Sequence, residues 1–331
     1  MSTTRREFIQ GSAAAAIAGP GLLGHGALQA QVPVDTLKIV TGFAAGGTSD
    51  TVCRRVAEAL RGLYARSVIV DNKTGAGGQI AISTVKSSPA DGSVMLQTPA
   101  SMLTVYPHIY KKLPYEPFAD LVPVSQACSF EFALGVGPAV PASITSVPEF
   151  MAWLKTHPEQ ANFGSPAAGS SPHFTGEMLS RAGNVAMRHV AYRGTQPAIL
   201  DLTAGQISSV SGPIGDFMPH LGGGRVRLLG VSGAKRSRFV PQVATFVEQG
   251  YKDIVTDEWF AFYMPAGTPA AVVQQANAAL RTALAKPEVV NGLADMGLEA
   301  KSSTQAELLA MQRRDTDYWG PIVKAVNFKV E

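Results

Sequence analysis

The feature that most constrains the fold of this chain is a repeated unit: a short β-branched strand, a loop of small residues, and an amphipathic helix. The first unit has strand residues Leu37–Thr41, followed by a helix that places Val52 and Val56 on one face. The pattern predicts further strands at 67–70, 94–97, 121–124, 162–164, 189–191, near 210 and at 226–231. Such alternation is typical of an α/β fold with a mostly parallel sheet, because parallel strands are joined by crossover helices.

Helix-start signals mark several of these transitions. Ser146–Glu149 and Thr304–Glu307 have the spacing of a capping box. Ser171 and Thr268 each precede a proline, and this order predicts an N-cap followed by the first helical residue. The proline within the strand at 121–124 predicts that this strand lies at a sheet edge or that the proline lies at a strand end.

Four strand-to-helix loops are rich in glycine and hydroxyl side chains: 42–50, 71–79, 164–173 and 192–197. Glycine lets the backbone approach a ligand closely. The unpaired amides of a first helical turn carry about half a positive charge, so such loops are suited to anions. Because open α/β sheets gather these helix starts at one edge, we expect the four loops to share a cleft.

The sequence contains no signature of catalysis, of a cofactor or of a metal site. Ile80 stands where a dinucleotide-binding loop needs its third glycine, and no Gly-Lys-Ser/Thr sequence follows that loop. The six histidines lack metal-ligand spacing, and Cys53 and Cys128 are too few for structural zinc. In an oxidising compartment these two cysteines could pair or remain buried free thiols. A formal charge of +3 argues against nucleic-acid binding. These absences argue against the enzyme, cofactor and metal classes that such motifs mark, and we expect no enzyme.

Residues 1–30 have the features of a twin-arginine export signal. An arginine pair precedes a weakly apolar stretch at 11–23, and small residues lead to a cleavage position near Ala30. The stretch is too short for a membrane-spanning helix and is interrupted by the Gly-Pro-Gly sequence at 19–21. We expect the mature protein to fold before export and to reside in the periplasm.

Six motifs, in order along the chain, resemble those of the tripartite tricarboxylate transporter receptors, the Bug family. They are Gly42–Asp50 with Arg54, Val70–Gly78, Pro107–Tyr115, Gly164–His173, Tyr192–Leu202 and Trp259–Pro269. The resemblance spans essentially the whole mature chain. It implies a two-lobed type II periplasmic-binding-protein fold, in which each lobe is a mostly parallel sheet flanked by helices and a ligand cleft lies between the lobes. Lobe 1 is expected at 31–129 plus 256–331, and lobe 2 at 130–255.

The resemblance also implies the partners. An extracytoplasmic solute-binding receptor of this family captures a small carboxylate, such as an organic acid, an acidic amino acid or an aromatic acid. It presents this ligand to the integral-membrane permease subunits of a tripartite tricarboxylate transporter. We expect a monomer that needs no cofactor and no metal and binds no nucleic acid.

Carried over by motif, the resemblance predicts the ligand contacts. In the first lobe these are Ala45, Gly46, Gly47, Thr48, Asp50, Gly75, Ala76, Gly77 and Gly78, with Ser101 as a weaker candidate. In the second lobe they are Ser165, Ser170, Ser171, Tyr192 and Arg193. Phe43 and Tyr192 could stack on an aromatic acid, or could equally pack at the edge of the cleft.

The chain departs from the family pattern in two places. After Gly205-Gln206-Ile207, where the family usually has an acidic residue, this chain has Ser208-Ser209. Ser209 would then replace a charge that faces the ligand, which bears on specificity. Ala44-Ala45 stands where proline is frequent in the family.

Two other functions fit part of the sequence. The chain could be a sensory binding module whose closed form docks on a receptor or sensor kinase, and the sequence does not separate this from transport. It could also be an enzyme exported by the twin-arginine route, because that route often carries cofactor-bearing oxidoreductases. No flavin, haem, molybdenum or iron–sulfur signature supports the enzyme.

Overall fold

The computed structural model describes residues 34–326 and 328–329, except for the side chains at 325 and 326. The strands there are β1 (Val34–Thr41), β2 (Ala65–Asn72), β3 (Val94–Pro99), β4 (Leu121–Val136), β5 (Asn162–Ser165), β6 (Arg188–Ala191), β7 (Ser209–Pro213), β8 (Arg227–Val231), β9 (Asp257–Pro265) and β10 (Glu299–Ala300). The helices are α1 (Thr48–Leu60), α2 (Gln79–Lys86), α3 (Ser101–Thr104), α4 (Tyr106–Ile109), α5 (Val147–Thr156), α6 (Ser171–Ala182), α7 (Thr195–Thr203), α8 (Ile214–Leu221), α9 (Ala270–Leu284), α10 (Pro287–Ala294) and α11 (Gln305–Val326).

The strands form one sheet in the order β2-β1-β3-β9-β4-β7-β5-β6, and β8 and β10 also pair with β4. β1 runs parallel to β2 and β3, and β5 runs parallel to β6 and β7. β9 is antiparallel to β3 and β4, and β4 is antiparallel to β7 and β8. The helix-flanked parallel strands confirm the predicted α/β class.

β4 joins two parts of this sheet. Up to Glu131 it pairs with β9, and from Phe132 onward it pairs with β7 and β8. We call β1, β2, β3, β9, β10 and the beginning of β4 the first part, and β5–β8 with the end of β4 the second part. The lobe boundaries expected near residues 130 and 255 stay a prediction.

Apolar helix faces cover both parts of the sheet. Val52 and Val56 of α1 are fully buried, as their spacing predicts, in a core that α1 shares with β1, β2 and α9. A separate core contains α5, β5 and α6, and includes Phe150 and Phe163. Burial of this apolar area is the main favourable term that holds each layer of helices on the sheet.

The helix starts follow the sequence in part. Both capping boxes form: the hydroxyl of Ser146 accepts from the amide of Glu149, and that of Thr304 accepts from the amide of Glu307. The N-cap expected at Ser171 was wrong by one residue, because the hydroxyl of Ser170 accepts the amide of His173. The N-cap expected at Thr268 was also wrong, since its hydroxyl donates to the Pro265 carbonyl at 2.8 Å and α9 begins later.

The proline of the strand predicted at 121–124 lies near the beginning of a much longer strand. Pro123 is the third residue of β4, and the register with β9 shifts between Pro123 and Ser125. A bulge is one of the few positions at which a sheet accommodates a proline, because proline has no amide to donate. The pattern did not predict that the strand continues to Val136, nor did it predict β9.

Three other expectations concern export and the cysteines. The twin-arginine signal and its cleavage near Ala30 lie outside the described residues. Among the helices that the structure describes, none combines the length and apolar character that crossing a membrane requires. Cys53 and Cys128 are both buried free thiols, and burial raises the pKa of each.

Candidate functional site

A cavity lies where both parts of the sheet meet, at the carboxyl ends of parallel strands. Its walls come from the segments that follow β1, β3, β5 and β6, from the junction of β7 with α8, from the middle of β4 and from the beginning of β9. The lining residues are Phe43, Ala44, Gly47, Thr48, Ser49, Pro99, Ser101, Phe130, Phe132, Pro166, Ser170, Pro172, Gly194, Thr195, Gln196, Pro213, Asp216, Glu258 and Phe260. Its volume is about 50 Å³, several times the space that one buried water needs.

Hydrogen bonds to a buried carboxylate hold the first loop in place. Asp50 accepts from the amide of Gly46 at 3.0 Å, from Nε of Arg54 at 2.9 Å and from Nδ2 of Asn72 at 3.0 Å. Burial acts to raise the pKa of Asp50, but these hydrogen bonds and the positive charge of Arg54 outweigh it, and the pKa is lowered. Asp50 therefore shapes the loop from behind and does not line the cavity.

The second glycine loop, 75–78, also lies behind the wall. A methyl group at Gly42 would stand 2.6 Å from Cα of Gly78, so the backbones of the first two loops are in close contact at this point. The hydroxyl of Tyr106 donates to the carbonyl of Gly77 at 2.9 Å. These glycines permit close packing of the two loops, and Gly75, Ala76, Gly77 and Gly78 are not among the residues that line the cavity.

In the second part of the sheet, Ser170 is the predicted contact that reaches the cavity. Its hydroxyl also donates to the carbonyl of Ala167 at 2.7 Å. The hydroxyl of Ser165 lies 2.7 Å from Nε2 of His189, away from the cavity lining. Tyr192 donates to Asp201 at 2.8 Å, and Arg193 is exposed.

Of the predicted contacts, the structure brings five together around the cavity. They are Phe43, Gly47, Thr48, Ser101 and Ser170. The other predicted contacts support the loops or lie outside the lining: Ala45, Gly46, Asp50, Gly75, Ala76, Gly77, Gly78, Ser165, Ser171, Tyr192 and Arg193. Ser208 and Ser209 are fully buried, and both hydroxyls donate to the carbonyl of Asn162.

Sequence reasoning missed two acidic residues of the cavity, Asp216 at the start of α8 and Glu258 in β9. Both are almost fully buried, with relative exposures of 3% and 4%. Oδ1 of Asp216 accepts the amide of Thr48 at 2.8 Å, and Oε1 of Glu258 accepts the amide of Ser101 at 2.7 Å. Two of the backbone donors expected for a ligand thus bind the chain's own carboxyl groups.

Burial is the largest influence on the pKa values of Glu258 and Asp216, and it raises both. It raises the pKa of Glu258 to about 7, although hydrogen bonds from Ser101 and Ser171 act in the opposite direction. Burial likewise raises the pKa of Asp216, against hydrogen bonds from Thr195, Thr48 and Gln196. A signal did exist in the sequence: Glu258 is a lone acid within the apolar run 258–265, where a charge is costly unless it has a role.

Several backbone donors at the cavity have no partner. Within the described part of the chain, no hydrogen bond uses the amides of Ser49, Thr195 or Gln196. These amides belong to the first turns of α1 and α7, which have no intrahelical acceptors. The two helices belong to different parts of the sheet, and Ser49, Thr195 and Gln196, which carry these amides, line the cavity from both parts. Such donors are suited to a carboxylate.

The described residues contain no group of three or more histidine, cysteine, aspartate or glutamate side chains that could hold a metal ion. The residues that line the cavity are phenylalanines, prolines, glycines and an alanine, together with serines, threonines, Gln196 and the two acids. What this arrangement can do chemically is bind a small polar molecule by hydrogen bonds while apolar walls exclude water.

Comparisons with known proteins agree with this arrangement. Residues 52–328 match the family described as the tripartite tricarboxylate transporter family receptor. A UPF0065 protein of Bordetella bronchiseptica is 31% identical over 325 residues, which cover 97% of this chain and 96% of that protein. The periplasmic binding protein BugD has a TM-score of 0.84 at 26% identity, covering 90% of this chain and 99% of BugD. An R. palustris protein solved with adipate has a TM-score of 0.84 at 26% identity, over 89% and 98% of the two chains.

These likenesses confirm the resemblance drawn from the six motifs, and the fold is that of a periplasmic binding protein. Proteins of this family are solute-binding receptors, which confirms the expectation that the chain is no enzyme. The family match covers more than half of the sequence and includes most of the cavity-lining residues. This chain belongs to the tripartite tricarboxylate transporter receptor family.

Proposed function

We propose that this protein is a periplasmic receptor that captures a small carboxylate in the cavity and presents it to the permease subunits of a tripartite tricarboxylate transporter. The twin-arginine signal at 1–30 would deliver it there already folded. The observation that carries the proposal is that three residues with unpaired amides, Ser49, Thr195 and Gln196, line one cavity from both parts of the sheet. The relative solved with adipate supports the choice of a carboxylate.

Binding would proceed without covalent chemistry. The ligand's carboxylate accepts hydrogen bonds from amides of α1 in the first part of the sheet, and the second part then closes over it with the amides of α7. Closure excludes water, and each hydrogen bond becomes stronger in the lower dielectric. Charge-assisted hydrogen bonds contribute roughly 1.5–3 kcal/mol each. Two or three of them, after the cost of closure, are consistent with about micromolar affinity.

The described residues that line the cavity include no positively charged side chain, and this favours release of the bound carboxylate. Lysine, arginine and histidine are absent from the residues that line the cavity. Amides and hydroxyls hold a carboxylate more weakly than a desolvated arginine pair does, and a transport receptor has to give up its ligand. The closed form would be the one that the permease binds.

A thermal-shift panel of small carboxylates tests the proposal. At least one compound should raise the melting temperature, and the gain should grow with concentration as RT ln(1 + [L]/Kd). The variant Thr195→Pro removes one of the unpaired amides and should reduce the shift. Ala270→Pro is the matched control, because Ala270 is also the first residue of its helix, α9, and does not line the cavity. The absence of a shift with every carboxylate at millimolar concentration would contradict the proposal.

A further inference from the structure

The cavity contains two acids that have no positively charged partner. Asp216 and Glu258 are at least nine-tenths buried, and neither forms an ion pair with a described residue. Their hydrogen bonds come from neutral groups: the amides of Thr48 and Ser101 and nearby hydroxyl and amide side chains. Neutral donors satisfy the lone pairs of a carboxylate but leave its net charge uncompensated. An uncompensated charge at such a depth is costly, so a cation placed beside it is stabilised.

The same two acids oppose a second negative charge in the ligand. A dicarboxylate could place one carboxylate on the amides of Ser49, Thr195 and Gln196. Its other carboxylate would then share a small cavity with Asp216 and Glu258. Like charges at short range in a low dielectric repel strongly. A ligand with a positive group at that end avoids this repulsion and replaces it with attraction.

The apolar wall of the cavity also suits an organic cation. Phe43, Phe130, Phe132 and Phe260 line it, and the rings of Phe130 and Phe260 lie 4.4 Å apart between centroids. Aromatic faces attract ammonium groups, and their apolar surface accommodates the methylene chain of a ligand. A hydrated inorganic cation would gain little from four phenylalanine rings.

We propose that Asp216 and Glu258 select a ligand that carries an organic ammonium group together with its carboxylate, and that they disfavour dicarboxylates. The proposal rests on the receptor function proposed above and specifies the class of ligand. The carboxylate of the ligand occupies the amides of α1 and α7, and its ammonium group lies against the two acids. This chain would therefore differ in specificity from the relative that was solved with adipate.

Matched pairs of probes test the charge preference in isothermal titration calorimetry. 5-Aminopentanoate and adipate share four methylene groups, and 3-aminopropanoate and succinate share two. Pentanoate and propanoate have the same carbon skeletons as the two amino acids and lack the ammonium group. In at least one length series, the ammonium carboxylate should bind at least tenfold more tightly than both the dicarboxylate and the simple carboxylate.

Isosteric variants assign the preference to the two acids. Asp216→Asn and Glu258→Gln keep an oxygen for the amides of Thr48 and Ser101 but remove the charge. Each should reduce the ratio of ammonium-carboxylate to dicarboxylate affinity at least fivefold. Glu131→Gln is the matched control, since Glu131 lies in β4, is partly buried and does not line the cavity. It should leave the ratio unchanged.

The outcomes separate this proposal from the function on which it rests. If a dicarboxylate binds the native chain as tightly as the ammonium carboxylate of the same length, the proposed selectivity is overturned and the carboxylate-receptor function stands. That result is expected if Asp216 and Glu258 are protonated and donate hydrogen bonds to the ligand. If no carboxylate of any kind binds, the receptor function fails as well. Should a variant not fold, judged by circular dichroism, the probe series on the native chain still decides.

Discussion

At the scale of single residues, the cavity acids and Asp50 show opposite uses of a buried carboxyl group. Asp50 has three donors and the charge of Arg54, so its pKa is lowered and its ionised form holds a loop. Glu258 has neutral donors only, so burial decides and its pKa rises to about 7. Asp50 therefore has a structural role, whereas Glu258 has no positively charged partner among the described residues.

Glu258 should make stability depend on pH. Its pKa in the folded chain, about 7, lies above the ordinary value of 4.5. Between these two pH values the folded state holds a proton that the unfolded state has lost, so the contribution of Glu258 to the free energy of unfolding is complete below pH 4.5 and is lost as pH rises through 7. The loss should approach about 3 kcal/mol. Urea unfolding across this pH range measures it, and Glu258→Gln should flatten that part of the profile; an unchanged slope would contradict the assignment.

Asp50→Ala should destabilise the protein by about 2–3 kcal/mol, because it removes three hydrogen bonds to a buried charge. Arg54→Ala is the matched comparison. Its side chain is 57% exposed, so its ion pair with Asp50 should contribute less than about 1 kcal/mol. Denaturant unfolding of both variants checks the order, and equal losses would mean that the ion pair, and not the amides, holds the loop.

At the scale of elements, what could be predicted was local. The strand, loop and helix around Gly47 and Thr48 are adjacent in sequence, so their pattern placed them correctly at the edge of the sheet. Asp216 could not be found in this way, because it meets Thr48 across 168 positions and lies in the first turn of a different helix, α8. Glu258 meets Ser101 across 157 positions. Periodicity describes which face of an element is buried and carries no information about which distant element will supply a charge.

The glycine loop at 75–78, a predicted ligand contact, packs against the first loop and is not among the residues that line the cavity. Gly42→Ala should therefore destabilise the chain by about 1–3 kcal/mol, because the new methyl group would meet the backbone of Gly78. It should also weaken ligand binding, since the cavity loop would shift. Gly222→Ala is the control: its methyl group would enter open space, and the effect on unfolding should be within about 0.5 kcal/mol.

At the scale of the whole molecule, the α/β class and the family could be predicted, since six motifs keep their order over nearly the entire mature chain. The antiparallel strands β4 and β9 were not foreseen. β4 contains 16 residues and changes partners within its length, and a sequence pattern does not reveal where a strand leaves one neighbour for another. The two parts of the sheet are thus connected by strand pairing as well as by loops.

If the second part closes over the ligand, the radius of gyration should fall on binding. Small-angle scattering with and without a ligand identified by calorimetry measures this change, and a non-binding carboxylate of the same length is the control. Identical scattering in both states would mean that the ligand enters a cavity that is already formed. Binding would then be limited by access and not by closure.

The change of partners in β4 falls between Glu131 and Phe132, and the rings of Phe130 and Phe132, on either side of it, line the cavity. A rotation of one part of the sheet against the other would bend β4 near this place, because the two ends of the strand pair with different parts. A ligand that contacts those rings would therefore act on the backbone directly beside the position where β4 changes partners. Ligand occupancy of the cavity and the angle between the two parts of the sheet would then change together. The outer surface of the protein would differ between the empty and the occupied state without any further coupled element.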